Sequence, residues 1–141
     1  MKLICAGLSK TATKSLAKAL RILGFVVFDH LEHREFHFNE WIDLYCKGNL
    51  PDFVTMYRDA DVVIGLPVSF WFEEIYESFP GAKVVLTIRD SEDVWVKSWA
   101  KEVESTRASI AFRGQFALHW LPSTSLAFHL SISHCSIWEY E

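Results

Sequence analysis

The chain has 141 residues, half of them hydrophobic and 15% aromatic, enough apolar material for about one packed domain and too much for a disordered chain. A net charge of −4 excludes a protein that coats nucleic acid through general basicity, so any phosphate binding has to come from a local patch. The cysteines Cys5, Cys46 and Cys135 are odd in number and share no C-x-x-C spacing, which excludes a disulfide framework and a cysteine zinc site and suits a reducing compartment.

Taken in order, Lys2–Ala6 is short, apolar and stopped by Gly7, which predicts a buried strand. The apolar start, Leu3 to Leu8, is too short for a secretory h-region, and no run approaches the roughly 18 apolar residues of a membrane helix. A cytoplasmic setting with neither membrane nor nucleic-acid partner is expected. Leu16, Ala19, Leu20 and Leu23 recur at helical spacing, with Gly24 placed as a C-cap. Phe25–Phe28 then reads as a second buried strand, completing a compact strand–loop–helix–strand unit.

A polar and aromatic stretch follows. Phe38, Trp41, Ile42 and Tyr45 mark a helix face ending at Gly48, and residues 52–58 predict a shorter helix. Asp61–Gly65 is a third strand that Pro67 prevents from continuing, and a helix is expected from about Ser69 to Ser78, closed by Pro80-Gly81. Lys83–Ile88 is the clearest strand of all. Arg89 stands at its carboxyl end, and Asp90-Ser91-Glu92-Asp93 supplies an acidic first turn for a helix reaching about Glu104.

Apolar strands alternating with helices predict an α/β fold, a three-layer α/β/α arrangement around a mainly parallel sheet. Ligands of such sheets sit at the carboxyl ends of the strands, where the first loop, His30, Pro67 and Arg89 all fall. This organisation covers residues 1–105. Residues 106–141 show no sustained period of 2 or 3.6 and few charges, and they read as a poorly specified tail.

The first loop, Gly7-Leu8-Ser9-Lys10-Thr11-Ala12-Thr13-Lys14-Ser15, has the rhythm of a phosphate loop. Such a loop needs converging backbone N–H groups, a helix N-terminus behind them and a cation. Counted against G-x-x-x-x-G-K-[ST], however, Ala12 takes the second glycine, Thr13 the lysine and Lys14 the hydroxyl. Lys10 sits ahead of the usual lysine. The pattern suits one terminal anion with a transferable group better than a triphosphate, and Ala12 is strained if its position needs a positive φ.

These residues resemble the 5′-phosphosulfate loop of sulfotransferases, and most closely the form G-x-G-R-T-G-T-x-S-L. Lys10 stands for the basic residue, Ala12 for glycine and Thr13 for threonine. Gly24-Phe25 with Asp29-His30, residues 60–67 with Phe70, Trp71 and Glu74, and residues 80–90 with Trp95, Ser98 and Trp99 resemble later segments of that family in the same order. The resemblance covers residues 1 to about 105, and the chain reads as a C-terminally truncated or altered member.

The resemblance implies a sulfotransferase whose donor is 3′-phosphoadenosine 5′-phosphosulfate, with no metal, acting on a small-molecule or glycan hydroxyl. It implies donor contacts from Lys10, Thr11, Ala12, Thr13, Lys14 and Ser15, a 3′-phosphate site at Arg89 and Ser98, and Lys10 and His30 as catalytic residues, with Glu32 as the alternative base. Gly65 departs from the family, which often carries an acid there, and Ser98 follows Arg89 by one residue more than the commonest spacing. The alternative reading is a P-loop-derived nucleotide or phosphate binder, or an interaction module, without transfer activity. A nucleotide kinase ranks third, because Asp61 begins its strand rather than ending it. The pattern His30-x2-His33-x3-His37 raises a zinc site as a minor reading, Trp41, Trp71, Trp95 and Trp99 are expected in the core, and Glu73, Glu74 and Glu77 on a solvated face.

Overall fold

The structure is a computed structural model and describes the backbone of residues 1–114, with side-chain surroundings through residue 105. The tail read from residue 106 lies outside the described residues, except that 106–114 continue the last helix. Four strands, β1 (Leu3–Cys5), β2 (Val27–Phe28), β3 (Val62–Ile64) and β4 (Lys83–Val85), form one sheet in the order β2-β3-β1-β4. Every pairing is parallel, with Ile4 opposite Val63 on one side and Val84 on the other.

Alternation along the strands explains the three layers. Cys5, Val62 and Ile64 point to one face, where they meet Ala17 and Leu20 of α1 (Thr13–Ile22). Ile4 and Val63 point to the other, against α3 (Phe38–Lys47), α4 (Phe53–Met56) and α5 (Phe72–Ser78). That second face holds the bulk of the core, including the fully buried Trp41, Tyr57 and Ile75. The expected parallel α/β fold is the one observed.

Several local readings change. Leu23 and Ala19 are exposed, so α1 buries a narrower stripe of Ala17 and Leu20. An additional helix, α2 (His30–Phe36), occupies the stretch read as merely polar and aromatic. Asp29 starts it with a capping box, its carboxylate accepting from the His30 N–H at 2.5 Å while Glu32 accepts from the Asp29 N–H at 2.9 Å. Lastly, the strand expected over Lys83–Ile88 ends at Val85. It is an edge strand among the described residues, leaving Val84, Leu86 and Ile88 at 43%, 67% and 75% exposure.

Helix α6 (Glu92–Gly114) runs well past the expected end near Glu104. Among the described residues no helix is long and apolar enough to cross a membrane.

His33, in α2, is fully buried beside Trp41 and Tyr57, with its Nδ1 3.5 Å from the Tyr57 hydroxyl. Burial, reinforced by the neighbouring His37, holds its imidazole down to about 3. The unfolded chain takes up a proton here near pH 6.5 and the folded chain does not until about 3, so acidification favours unfolding across that window. His37 is lowered by burial too and acts in the same direction. The unfolding free energy from urea titrations between pH 7 and pH 4.5 is expected to fall by up to about 1.4 kcal/mol per pH unit from His33, and His33→Phe should flatten the slope. Equal slopes in the two proteins would place the proton uptake elsewhere.

Candidate active site

The carboxyl end of β1 runs into the loop of residues 6–12, which packs against the segment following β4. Contact there is tight. A Cβ on Gly7 would meet the Thr87 Oγ1 at 1.9 Å and the Thr87 carbonyl at 2.9 Å, so only glycine fits. Thr11 is buried, its hydroxyl 2.6 Å from the Leu8 carbonyl and 2.8 Å from the Thr87 hydroxyl. The loop is thereby held on two sides, by its own turn and by the neighbouring segment.

The turn has an uncommon backbone. Lys10 and Ala12 both adopt left-handed conformations, at φ 71° and 68°, each costing about 1–2 kcal/mol for a residue with a Cβ. Ala12 is the residue before α1, and its carbonyl accepts from the Leu16 N–H at 3.0 Å. The strain foreseen for an alanine in the family's glycine position is therefore present. Thr13, Lys14 and Ser15 form the first turn of α1 and carry no capping hydrogen bond from Ala12, so the N–H groups and the positive end of the helix dipole face the loop.

Arg89 and Ser98 come together despite the extra residue between them. The Arg89 Nη2 donates to the Ser98 hydroxyl at 3.4 Å, the long end of a hydrogen bond, and its Nε donates to the Lys10 carbonyl at 2.5 Å. One guanidinium thus braces the strained loop residue and touches the helix that carries Ser98. Trp95 adds a third tie, its indole N–H donating to the Ser9 carbonyl at 2.9 Å. The Lys10 ammonium meets the Glu102 carboxylate at 2.8 Å. That contact, with Lys14 at the margin, holds the Glu102 carboxyl below its ordinary range.

His30 is the first residue of α2, just past the carboxyl end of β2. Because β3 lies between β2 and β1, strand spacing sets the two strand ends about 10 Å apart. Glu32, the alternative base, is engaged by the Asp29 N–H and by Arg21, each at 2.9 Å. Gly65 follows β3 at φ 80°, with Asp29 Oδ1 3.4 Å from where its Cβ would stand. Asp29 brings a carboxylate beside the position where the family often carries an acid.

The zinc reading gains no support: His33 is committed to the core, and no metal-binding group of His, Cys, Asp or Glu occurs among the described residues. Cys5 is buried behind the loop, and burial pushes its thiol up to about 11, which leaves it unreactive. Of the tryptophans, Trp41 is core and Trp71 packs against it. Trp95 and Trp99 instead stack on each other at 6.0 Å and 9° beside the loop, with Trp99 exposed. The sequence reading missed Trp95, Thr87 and Glu102 as parts of this site. Trp95, Ser98 and Glu102 do fall at helical spacing on one face, a signal available in the sequence.

The profile of a family described as sulfotransferase domain matches residues 2–139. A relative, Ava biosynthesis cluster protein M of Aspergillus versicolor, is 28% identical over 123 residues, covering 78% of this chain and 44% of that protein. The chain therefore spans less than half the length of the curated relative it matches.

The loop geometry makes opposite predictions for its two small residues. Gly7→Ala should displace Thr87 and cost several kcal/mol, visible as a large drop in urea midpoint. Ala12→Gly should release left-handed strain and, after the entropy of the more flexible unfolded chain is subtracted, raise stability by up to about 1 kcal/mol. A destabilised Ala12→Gly protein would show that residue 12 does not hold a positive φ.

Proposed function

We propose that this chain, which belongs to the sulfotransferase domain family, binds 3′-phosphoadenosine 5′-phosphosulfate at the β1–α1 loop and transfers its sulfuryl group to an acceptor hydroxyl. The observation that carries this reading is Arg89 bonded at once to the Lys10 carbonyl and to Ser98. A forked guanidinium and a hydroxyl, a pair suited to a terminal phosphate, lie next to a loop suited to a second anion. Two separate anion sites side by side match a nucleotide with phosphates on both its 3′ and 5′ positions better than a triphosphate chain.

In the reaction, the acceptor oxygen attacks sulfur, the bond from sulfur to the bridging phosphate oxygen breaks, and 3′-phosphoadenosine 5′-phosphate leaves. Charge builds on the bridging oxygen, where Lys10 and the N–H groups at the start of α1 stabilise it. Thr13, Lys14 and Ser15 contribute hydroxyls and a second positive charge. The proton released from the acceptor hydroxyl passes to His30, whose imidazole is the general base. The reading calls for no metal, with Lys10 and Lys14 taken to supply the positive charge at the reacting phosphate. The acceptor is taken to be a small molecule or glycan hydroxyl entering between His30 and the loop.

Calorimetric titration with 3′-phosphoadenosine 5′-phosphate tests the donor site. The expected result is affinity on the order of micromolar without magnesium, weakened about 10- to 100-fold by Lys10→Ala, and no comparable binding of ATP–magnesium. Arg89→Ala should weaken binding of the 3′-phosphorylated nucleotide more than that of adenosine 5′-phosphate and so reduce the preference between them, with a smaller loss for the latter because Arg89 also braces the Lys10 carbonyl. Tighter binding of ATP–magnesium, or no binding by a demonstrably folded chain, would overturn the assignment.

A further inference from the structure

Helix α6 meets the loop along a single face. Trp95, Ser98 and Glu102 are spaced i, i+3 and i+7, and each makes one contact with the donor-site segments: Trp95 with the Ser9 carbonyl, Ser98 with Arg89, and Glu102 with the Lys10 ammonium. The first two are neutral or complementary to an incoming phosphate. The third is not, because a carboxylate at 2.8 Å holds the very ammonium that the donor needs.

We propose that Glu102 tunes the affinity of the donor site: its carboxylate acts as an internal anion on Lys10, and an anionic ligand binds by exchanging with it. This rests on the reading of Lys10 as the donor's cation. The exchange costs the same for every ligand that takes Lys10, so it sets a threshold that weakly charged ligands do not clear. A ligand with one negative charge gains from Lys10 roughly what Glu102 gives up, so it acquires little. A nucleotide with two phosphates gains Arg89 and the N-terminus of α1 in addition, and these are not engaged by Glu102. Lys10 and Lys14 are the cations that face this carboxylate, and its lowered titration keeps it charged at neutral pH. The pair is partly open to solvent, at 30% and 49% side-chain exposure, so its displacement is expected to change affinity only about two- to fivefold. That size lets Glu102 tune the site without closing it.

The test is a double-mutant cycle read by calorimetry with 3′-phosphoadenosine 5′-phosphate as the probe, on wild type, Glu102→Gln, Lys10→Ala and the double variant. Glu104→Gln serves as control, since Glu104 is exposed on α6 two residues away, off the face of Glu102. Glu102→Gln is expected to bind about two- to fivefold tighter than wild type. The gain should vanish in the Lys10→Ala background and be absent from Glu104→Gln. Equal affinities of wild type and Glu102→Gln would overturn the inference and leave the donor site standing. So would a gain that survives without Lys10, or one that Glu104→Gln reproduces. If no folded variant binds the probe, the donor reading fails first and this inference with it.

Discussion

The site depends on the close approach between Gly7 and Thr87. With no side chain at Gly7, the carboxyl end of β1 comes near enough to the segment after β4 for the buried Thr11 hydroxyl to reach Thr87 at 2.8 Å. That contact sets where the loop turns, and therefore where Lys10 and the first turn of α1 point. It also places Arg89, two residues after Thr87, beside the loop. Because the hydroxyl of Thr11 is buried, leaving it unbonded would cost about 1–3 kcal/mol. The bond to Thr87 and the bond to the Leu8 carbonyl therefore hold the turn firmly.

Strain and bracing balance across this turn. Lys10 and Ala12 both sit in left-handed backbone that a Cβ disfavours, and at Lys10 the Arg89 Nε bond to its carbonyl offsets part of the cost. The same guanidinium reaches Ser98, so the loop and α6 share one charged group. Helix α6 is consequently fastened to the loop by polar contacts, while several of its apolar residues, Val96 and Trp99 among them, remain exposed. Polar ties of this kind can be exchanged for ligand contacts more readily than a packed apolar interface can.

Much of the fold was legible because parallel strands buried on both faces leave a plain signature. Lys2–Ala6 and Asp61–Gly65 are short apolar runs with a glycine stop, and both form central strands. Lys83–Ile88 has an equally strong pattern yet pairs only over Lys83–Val85, since composition does not tell an edge strand from a central one. The helix α2 was missed because its seven residues are too few for an apolar period. Its only local mark is Asp29 with Glu32 three residues on. His33, which reads as a possible ligand, is buried as a neutral ring because Trp41 and Tyr57 from α3 and the end of α4 enclose it.

The order of loop, strand and arginine in the sequence determined the family, the parallel α/β fold and the residue types available for an anion site. Those follow from local patterns: hydrophobic runs, a loop of hydroxyls and lysines before a helix, and an arginine at a strand end. Tertiary structure decided which of these residues meet. Thr11 with Thr87, Arg89 with Lys10, Trp95 with Ser9 and Lys10 with Glu102 are separated by 76 to 92 residues. Such pairs are brought together by sheet order, because β4 lies beside β1 although most of the described chain runs between them. No local periodicity encodes that adjacency.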